Sequence, residues 1–411
     1  MATAEHPIVA QTALPPSSDA DPFGSAILEN PDEFHAELRD AGPVVHLRRY
    51  DVYAMARYDQ VHAALTDWQS FESGAGVGYS NFRTEKPWRP PSLLLETDPP
   101  VHDAPREVLS SILSMRAIRR LSEYWKADAT AFVESLPAST AVDAARDVAA
   151  QFPLRVFPDA VGIGENGREN LLPYGDHLFN AFGPHNDLVA RGEPTIPAIA
   201  QWVNQQCARE NLAQTVYGDQ PTFGAEVWKA ADRGDITAEQ APTIVRSLLS
   251  AGVDTTVHGL GAVLHALATN PEQWAQLRTH PGLARIAFDE AVRAEAPVQT
   301  FFRTATRDIR VDDVIIPAGK KILMFLGAAN RDPRRWDNPD KFDLSRNPSG
   351  HVGFGMGIHQ CVGQHVARLE AESLLRALAR RFRRIDIAGI PIRHHNNTMR
   401  AWESLPVELV E

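Results

Sequence analysis

Cys361 stands in the run Phe354-Gly355-Met356-Gly357-Ile358-His359-Gln360-Cys361-Val362-Gly363, a thiol with a phenylalanine seven residues before it and glycines on both sides. Glycines there let the backbone turn tightly and pass close to a flat macrocycle where a Cβ would collide. They also leave backbone N–H groups to bond the sulfur, while Phe354 covers it from one side. A lone cysteine is more simply read as a buried core residue. The phenylalanine, the glycines and the basic His359 together favour a thiolate bound axially to haem iron, where it pushes electron density onto the metal and favours O–O cleavage.

This arrangement resembles that of the cytochrome P-450 superfamily, and other segments agree with it. After Pro242, which suits the first turn of a helix, Val245, Leu248, Leu249, Val253, Val257, Leu260, Val263, Leu264 and Leu267 recur at helical spacing, predicting a long, mostly buried helix. Ala251, Gly252, Asp254, Thr255 and Thr256 interrupt its apolar run. The resemblance implies that Ala251 and Gly252 clear space for dioxygen, and that Asp254 and Thr255 are catalytic and deliver protons. A helix kink from threonine bonding back to the preceding turn is compatible with the same residues.

Glu290 and Arg293 fall on one helical face. Such pairs are commonly solvated, but the resemblance implies a buried structural network with Arg346 that braces the cysteine loop. It also implies that haem b, ligated by Cys361, offers its propionates to His102, Arg106, Arg303 and His359. Such anions call for arginine or charged histidine donors. Phe354, Gly355 and Gly363 complete the cofactor site. The fold expected is mainly α with a small β region: a single-domain cytochrome P-450 fold with a long central helix over the haem.

The elements that would position these groups are partly legible. Val44 to Ala56 reads as a hairpin around a polar turn, Asp308 to Leu326 as a second strand region, and Val362 to Phe382 as an amphipathic helix. The chain has 411 residues, 44% of them apolar, with dispersed glycine and proline, no repeat, and no linker between residues 25 and 405. Residues 1–20 read as a loose tail, neither signal nor anchor, and residues 21–411 as one domain in a cytoplasmic protein. Cys207 and Cys361 are the only cysteines, which excludes a disulfide framework or multi-cysteine zinc site. Cys207 is expected to be passive.

A net charge of −11 argues against a nucleic-acid partner, and no membrane association is expected. Arg116, Arg119 and Arg120, with Arg376, Arg380, Arg381, Arg383 and Arg384, form either a positive rim near the cysteine side or ordinary solvated helix faces. The chain lacks a GxGxxG stretch opening a βαβ unit. The resemblance therefore implies a separate iron-sulfur ferredoxin and ferredoxin reductase as electron donors, with dioxygen as co-substrate.

Four segments closely resemble bacterial enzymes that oxidise para-substituted benzoates: Lys86-Pro-Trp-Arg89-Pro-Pro-Ser92-Leu-Leu-Leu95, Phe179-Asn-Ala-Phe182, Arg246-Ser247-Leu-Leu-Ser250 and Val298-Gln-Thr-Phe301-Phe302-Arg303. A benzoate needs an apolar slot and a polar terminus. The resemblance assigns the slot to Leu95, Phe179, Phe182, Ala251 and Phe301, and the carboxylate to Arg89, Ser92 and Ser247 with Arg246 close by. The reaction expected is O-demethylation of 4-methoxybenzoate or hydroxylation of 4-alkylbenzoates. The alternatives are the same chemistry on a terpene or other hydrophobic acid, a peroxide-driven enzyme, and a non-catalytic haem sensor.

Overall fold

The computed structural model describes residues 14–87 and 89–411; residues 1–13 of the expected tail and Trp88 lie outside the described residues. Ser17–Ser18, assigned above to that tail, instead forms a short strand parallel to Val45–Leu47.

The hairpin expected between Val44 and Ala56 is present, with Val45–Leu47 antiparallel to Val52–Met55 and Asp51 at φ 51° in the turn. Val52–Met55 then pairs in parallel with Lys321–Phe325, which pairs antiparallel with Thr300–Ala305, and Phe71–Glu72 closes the six-stranded sheet. Strand periodicity puts Phe301 and Arg303 on one face and Phe302 on the other. Phe302 is buried with Phe34, Leu47 and Leu323. Ile309–Val311 and Val314–Ile316 form the hairpin expected after Asp308.

Helices make the rest of the core. Gln364–Arg381 packs against Met115–Ser135 and Ala284–Glu295, burying Leu374, Leu375 and Leu378 against a cluster that includes Trp125 and Phe288. Each such side chain contributes about 1.5–3 kcal/mol on leaving water. The expected central helix spans Gln240–Gly252 and Asp254–Thr269, interrupted at Val253. Two threonines return bonds to the turn before: Thr255 Oγ1 to the Ala251 carbonyl at 2.7 Å, and Thr256 Oγ1 to that of Gly252 at 3.1 Å. These back-bonds bracket the break and fit a local weakening of the helical ladder. Among the described residues no helix is long and apolar enough to cross a membrane.

Candidate active site

The cysteine loop closes on itself: the Cys361 N–H donates to the Phe354 carbonyl at 2.8 Å and the Gly355 N–H to that of Val352 at 2.8 Å. Gly355 and Gly357 adopt φ of 66° and 68°, a region side chains rarely enter. Phe354 packs beside Phe288, under the Arg368 guanidinium 4.5 Å from its ring centre. Cys361 begins the approach to the Gln364–Arg381 helix. Burial pushes its thiol up, opposed by the Gly363 N–H, Arg106, Arg368 and the Gln364 N–H. Those N–H groups and cations favour a thiolate once a metal takes it.

The residues present fit a haem. Cys361 is exposed, and so is Ala251 in the middle of an otherwise buried helix, as residues that face a bound prosthetic group would be. A Cβ on Gly363 would meet only Cys361 Sγ, at 3.9 Å, and one on Gly355 nothing closer than 3.7 Å, so that side of the loop is open. His102 is buried with neither ring nitrogen hydrogen-bonded. Arg303 is 3% exposed and makes its one described hydrogen bond to the Phe302 carbonyl. Burial pushes its guanidinium down to about 10, and a buried cation together with the unbonded His102 ring suits an anion such as a propionate.

Two expected donors also have protein partners. Both His359 ring nitrogens are engaged, Nδ1 with the Leu94 carbonyl at 3.0 Å and Nε2 with Asp98 at 3.1 Å, so this histidine ties the loop to residues 94–98. Arg106 donates to the Gln360 carbonyl at 2.6 Å and steadies the loop directly.

Glu290 and Arg293 are fully buried on the Ala284–Glu295 helix, with Arg293 Nε and Nη2 on the carboxylate at 2.8 and 2.9 Å. Arg346 Nε reaches the same carboxylate at 2.9 Å, and Arg293 also binds the Asn330 and Pro339 carbonyls. One acid thus joins the helix to the segment leading into the cysteine loop.

Phe179 and Phe182 meet edge to face at 5.6 Å and Phe182 meets Phe301 at 5.8 Å. Leu95 packs on the same cluster. Leu178, next to Phe179, joins it, as do Val77 and Met399, which sequence reasoning missed because they come from distant segments. Gly252 corrects an expectation: a Cβ there would lie 2.5 Å from the Phe157 ring, so its open side is filled by packing, and of the two only Ala251 is exposed.

The polar residues converge as well. Ser92 Oγ lies 3.2 Å from Ser247 Oγ, and Arg246 donates to the Pro90 carbonyl at 2.9 Å. Arg89, expected to receive the carboxylate, holds Glu96, which also accepts the Ser92 N–H at 2.8 Å. Glu96 follows a Leu-Leu-Leu run. A carboxylate placed there is buried and needs a cation, and that signal was available in the sequence.

Asp254 is buried, its Oδ1 3.1 Å from His258 Nε2 and its Oδ2 unpartnered. Thr255 Oγ1 stays on the Ala251 carbonyl. Cys207 is buried and passive, its thiol pushed up to about 12 by burial. The expected basic rim is partly neutralised, since Arg376 pairs with Glu372, Arg381 with Glu411 and Arg384 with Asp386.

An exposed thiol in a glycine-turned loop, a buried histidine without a hydrogen bond and a long helix interrupted beside an exposed Ala251 fit a haem-thiolate oxidoreductase. The "Cytochrome P450" family model matches residues 283–401. The chain is 51% identical over 395 residues to "Cytochrome p450 CYP199A2" of Rhodopseudomonas palustris (strain ATCC BAA-98 / CGA009), covering 96% of this chain and 94% of that protein. It is 30% identical over 404 residues to "Cytochrome P450 107B1" of Saccharopolyspora erythraea, covering 94% and 96%. Among solved structures it resembles cytochrome P450 CREJ in complex with (4-ethylphenyl) dihydrogen phosphate, at TM-score 0.83 and 25% identity over 95% of this chain and 98% of that one. CYP109Q5 from Chondromyces apiculatus gives 0.79 and 27% over the same shares.

The chain belongs to the cytochrome P450 family and is a monooxygenase that uses haem b with a cysteine thiolate as axial ligand. That removes the non-catalytic sensor alternative. As a P450 monooxygenase it takes dioxygen and draws its electrons from redox partners.

Proposed function

We propose that this monooxygenase oxidises a para-substituted benzoate, by O-demethylation of 4-methoxybenzoate or hydroxylation of 4-alkylbenzoates, with electrons from a ferredoxin and its reductase. The observation that carries the reading is Leu95, which packs on the Phe179–Phe182–Phe301 wall while its N–H donates to Ser92 Oγ at 3.3 Å, and so ties that wall to the polar set Arg89, Ser92, Arg246 and Ser247. The 51% identity with CYP199A2 and the para-alkyl aryl anion bound to CREJ support it.

Ser247, Ala251 and Thr255 are spaced i, i+4, i+8 along the interrupted helix. Successive members lie about 6 Å apart on one face. A carboxylate received near Ser247 would place the ring beside Ala251 and send the para substituent toward Thr255. Haem, when bound, supplies the oxidising chemistry at that end. The protein's own part is to fix the acid, grip the ring between aromatic edges and deliver protons from Asp254 and Thr255. Regioselectivity follows from fixing one end of a rigid substrate. A methoxy carbon that gains a hydroxyl becomes a hemiacetal and collapses to formaldehyde and 4-hydroxybenzoate.

The test is an optical titration of the ferric holoprotein with 4-methoxybenzoate beside 4-methoxybenzamide, followed through the Soret band. A large shift with the acid alone is expected. No shift with either, from a protein whose reduced carbon monoxide complex shows intact thiolate ligation, would overturn the benzoate reading and leave the monooxygenase.

A further inference from the structure

Beyond Asp254, on the side away from Thr255's hydrogen bond, lies a set of titratable groups that the chemistry above does not use. Asp254 opens the Asp254–Thr269 helix, where the helix dipole favours its anion, and its carboxylate faces Gly175 of the Leu171–Asn180 helix. A Cβ at Gly175 would stand 2.6 Å from Asp254 Cβ, so the missing side chain lets the two helices close on the acid. One turn along, His258 Nε2 meets Asp254 Oδ1 at 3.1 Å, with the imidazole 12% exposed. The His258 ring lies nearly parallel to that of His394, at 23° and 6.4 Å between centres. His394, on the Ile392–His395 strand, is one-third exposed and bonds Asp176 Oδ1 through Nε2 at 2.6 Å. Asn396 holds the same carboxylate oxygen at 2.8 Å.

We infer that His394 and His258 form a proton relay that carries protons from solvent to Asp254. This rests on the reading of Asp254 as the group that passes protons to the reacting oxygen. Monooxygenation consumes substrate, dioxygen, two electrons and two protons, and yields hydroxylated substrate and water. The electrons come from the redox partner, and both protons must enter a buried site. Each enters at the partly exposed His394 and crosses to His258 through one bridging water or a ring rotation. It then moves from His258 Nε2 to Asp254 Oδ1, and rotation of the carboxyl, whose Oδ2 is unpartnered, turns it toward the cavity.

The charges around the pair suit this. The Asp176 hydrogen bond raises His394 above the ordinary imidazole range against the cost of burial, helped by the charges of Asp176, Asp254 and Glu403. His394 is thus the reservoir, and imidazole is the side chain suited to shuttling protons near neutral pH. Both histidines act through Asp254, so they are positioning groups and not catalytic residues.

The test compares His258→Gln, His394→Gln and Asp254→Asn holoproteins. Glutamine can keep each hydrogen bond but cannot relay a proton. Haem content, thiolate ligation and the substrate-induced Soret shift should stay as in the parent. Product formed per electron pair should fall by about tenfold, with more peroxide released and a larger solvent deuterium effect. In the parent, coupling should decline as pH rises through the His394 midpoint, and His394→Gln should lose that dependence. Independently of turnover, proton NMR of the His394 ring should titrate at lower pH in Asp254→Asn. If Asp254→Asn uncouples but both glutamine variants keep parental coupling and isotope effect, the relay is wrong while Asp254 keeps its role. If Asp254→Asn is fully coupled, the relay and the reading it rests on both fall.

Discussion

Arg89 grips Glu96 through Nη1–Oε2 at 2.8 Å and Nη2–Oε1 at 3.2 Å, beside the two serines at the polar end of the proposed slot. The cation expected to greet a substrate acid already holds an internal one, and both side chains are nearly buried, 11% and 1% exposed. A benzoate must therefore share Arg89 with Glu96 or rely on Ser92, Ser247 and Arg246.

Glu96→Gln should remove that competition and tighten 4-methoxybenzoate several-fold while leaving 4-methoxybenzamide unchanged. Arg89→Ala should weaken the acid far more than the amide, since a hydrogen bond to a charged group contributes about 1.5–3 kcal/mol. Dissociation constants from Soret titrations decide it, and equal losses for the two ligands would show that Arg89 shapes the slot without reading charge.

Thr255→Ala should leave haem binding and substrate affinity in place, because Thr255 Oγ1 donates only to the Ala251 carbonyl among the described residues. Electrons should instead be diverted to peroxide, with product per electron pair falling on the order of tenfold or more. Unchanged stoichiometry would remove Thr255 from proton delivery.

Breaking the buried Glu290–Arg293–Arg346 network should cost more than any surface pair. Arg293→Ala or Glu290→Gln leaves a buried charge uncompensated, worth about 3–5 kcal/mol. Urea unfolding should register that loss, and the haem-to-protein ratio should fall because Arg346 connects this acid to the approach of the cysteine loop.

Stability should decline on acidification before carboxylates protonate. Burial first, then the neighbouring arginines, pushes His35 and His351 down to about 3 from an ordinary 6.5. Folded, both stay neutral. The unfolded chain takes up their protons below pH 6.5, so stability is fully present above that value and is lost as pH falls from 6.5 toward 3. Urea midpoints measured across this window should fall, and His35→Phe should flatten the slope by about one proton.

Legibility from sequence followed locality. The hairpin between Val45 and Met55 and the helix Gln364–Arg381 rest on period-2 and period-3.6 patterns, which neighbours in the chain carry. The cysteine loop was readable for the same reason, because Phe354, Gly355, Gly357 and Gly363 act within a few residues of Cys361. Ser17–Ser18 was not, since two serines carry no strand signal and take their conformation from the edge of Val45–Leu47.

By itself the sequence determined the haem-thiolate chemistry and the mainly helical architecture, because each is written in spacing and residue type over short stretches. Only the tertiary structure decided how the charges pair. His359 goes to Asp98, Arg89 to Glu96, and His258 lies against His394. Gly252 likewise yields its open side to Phe157. These outcomes depend on which segments meet in space, and a buried charge takes whichever opposite charge the packing brings within reach.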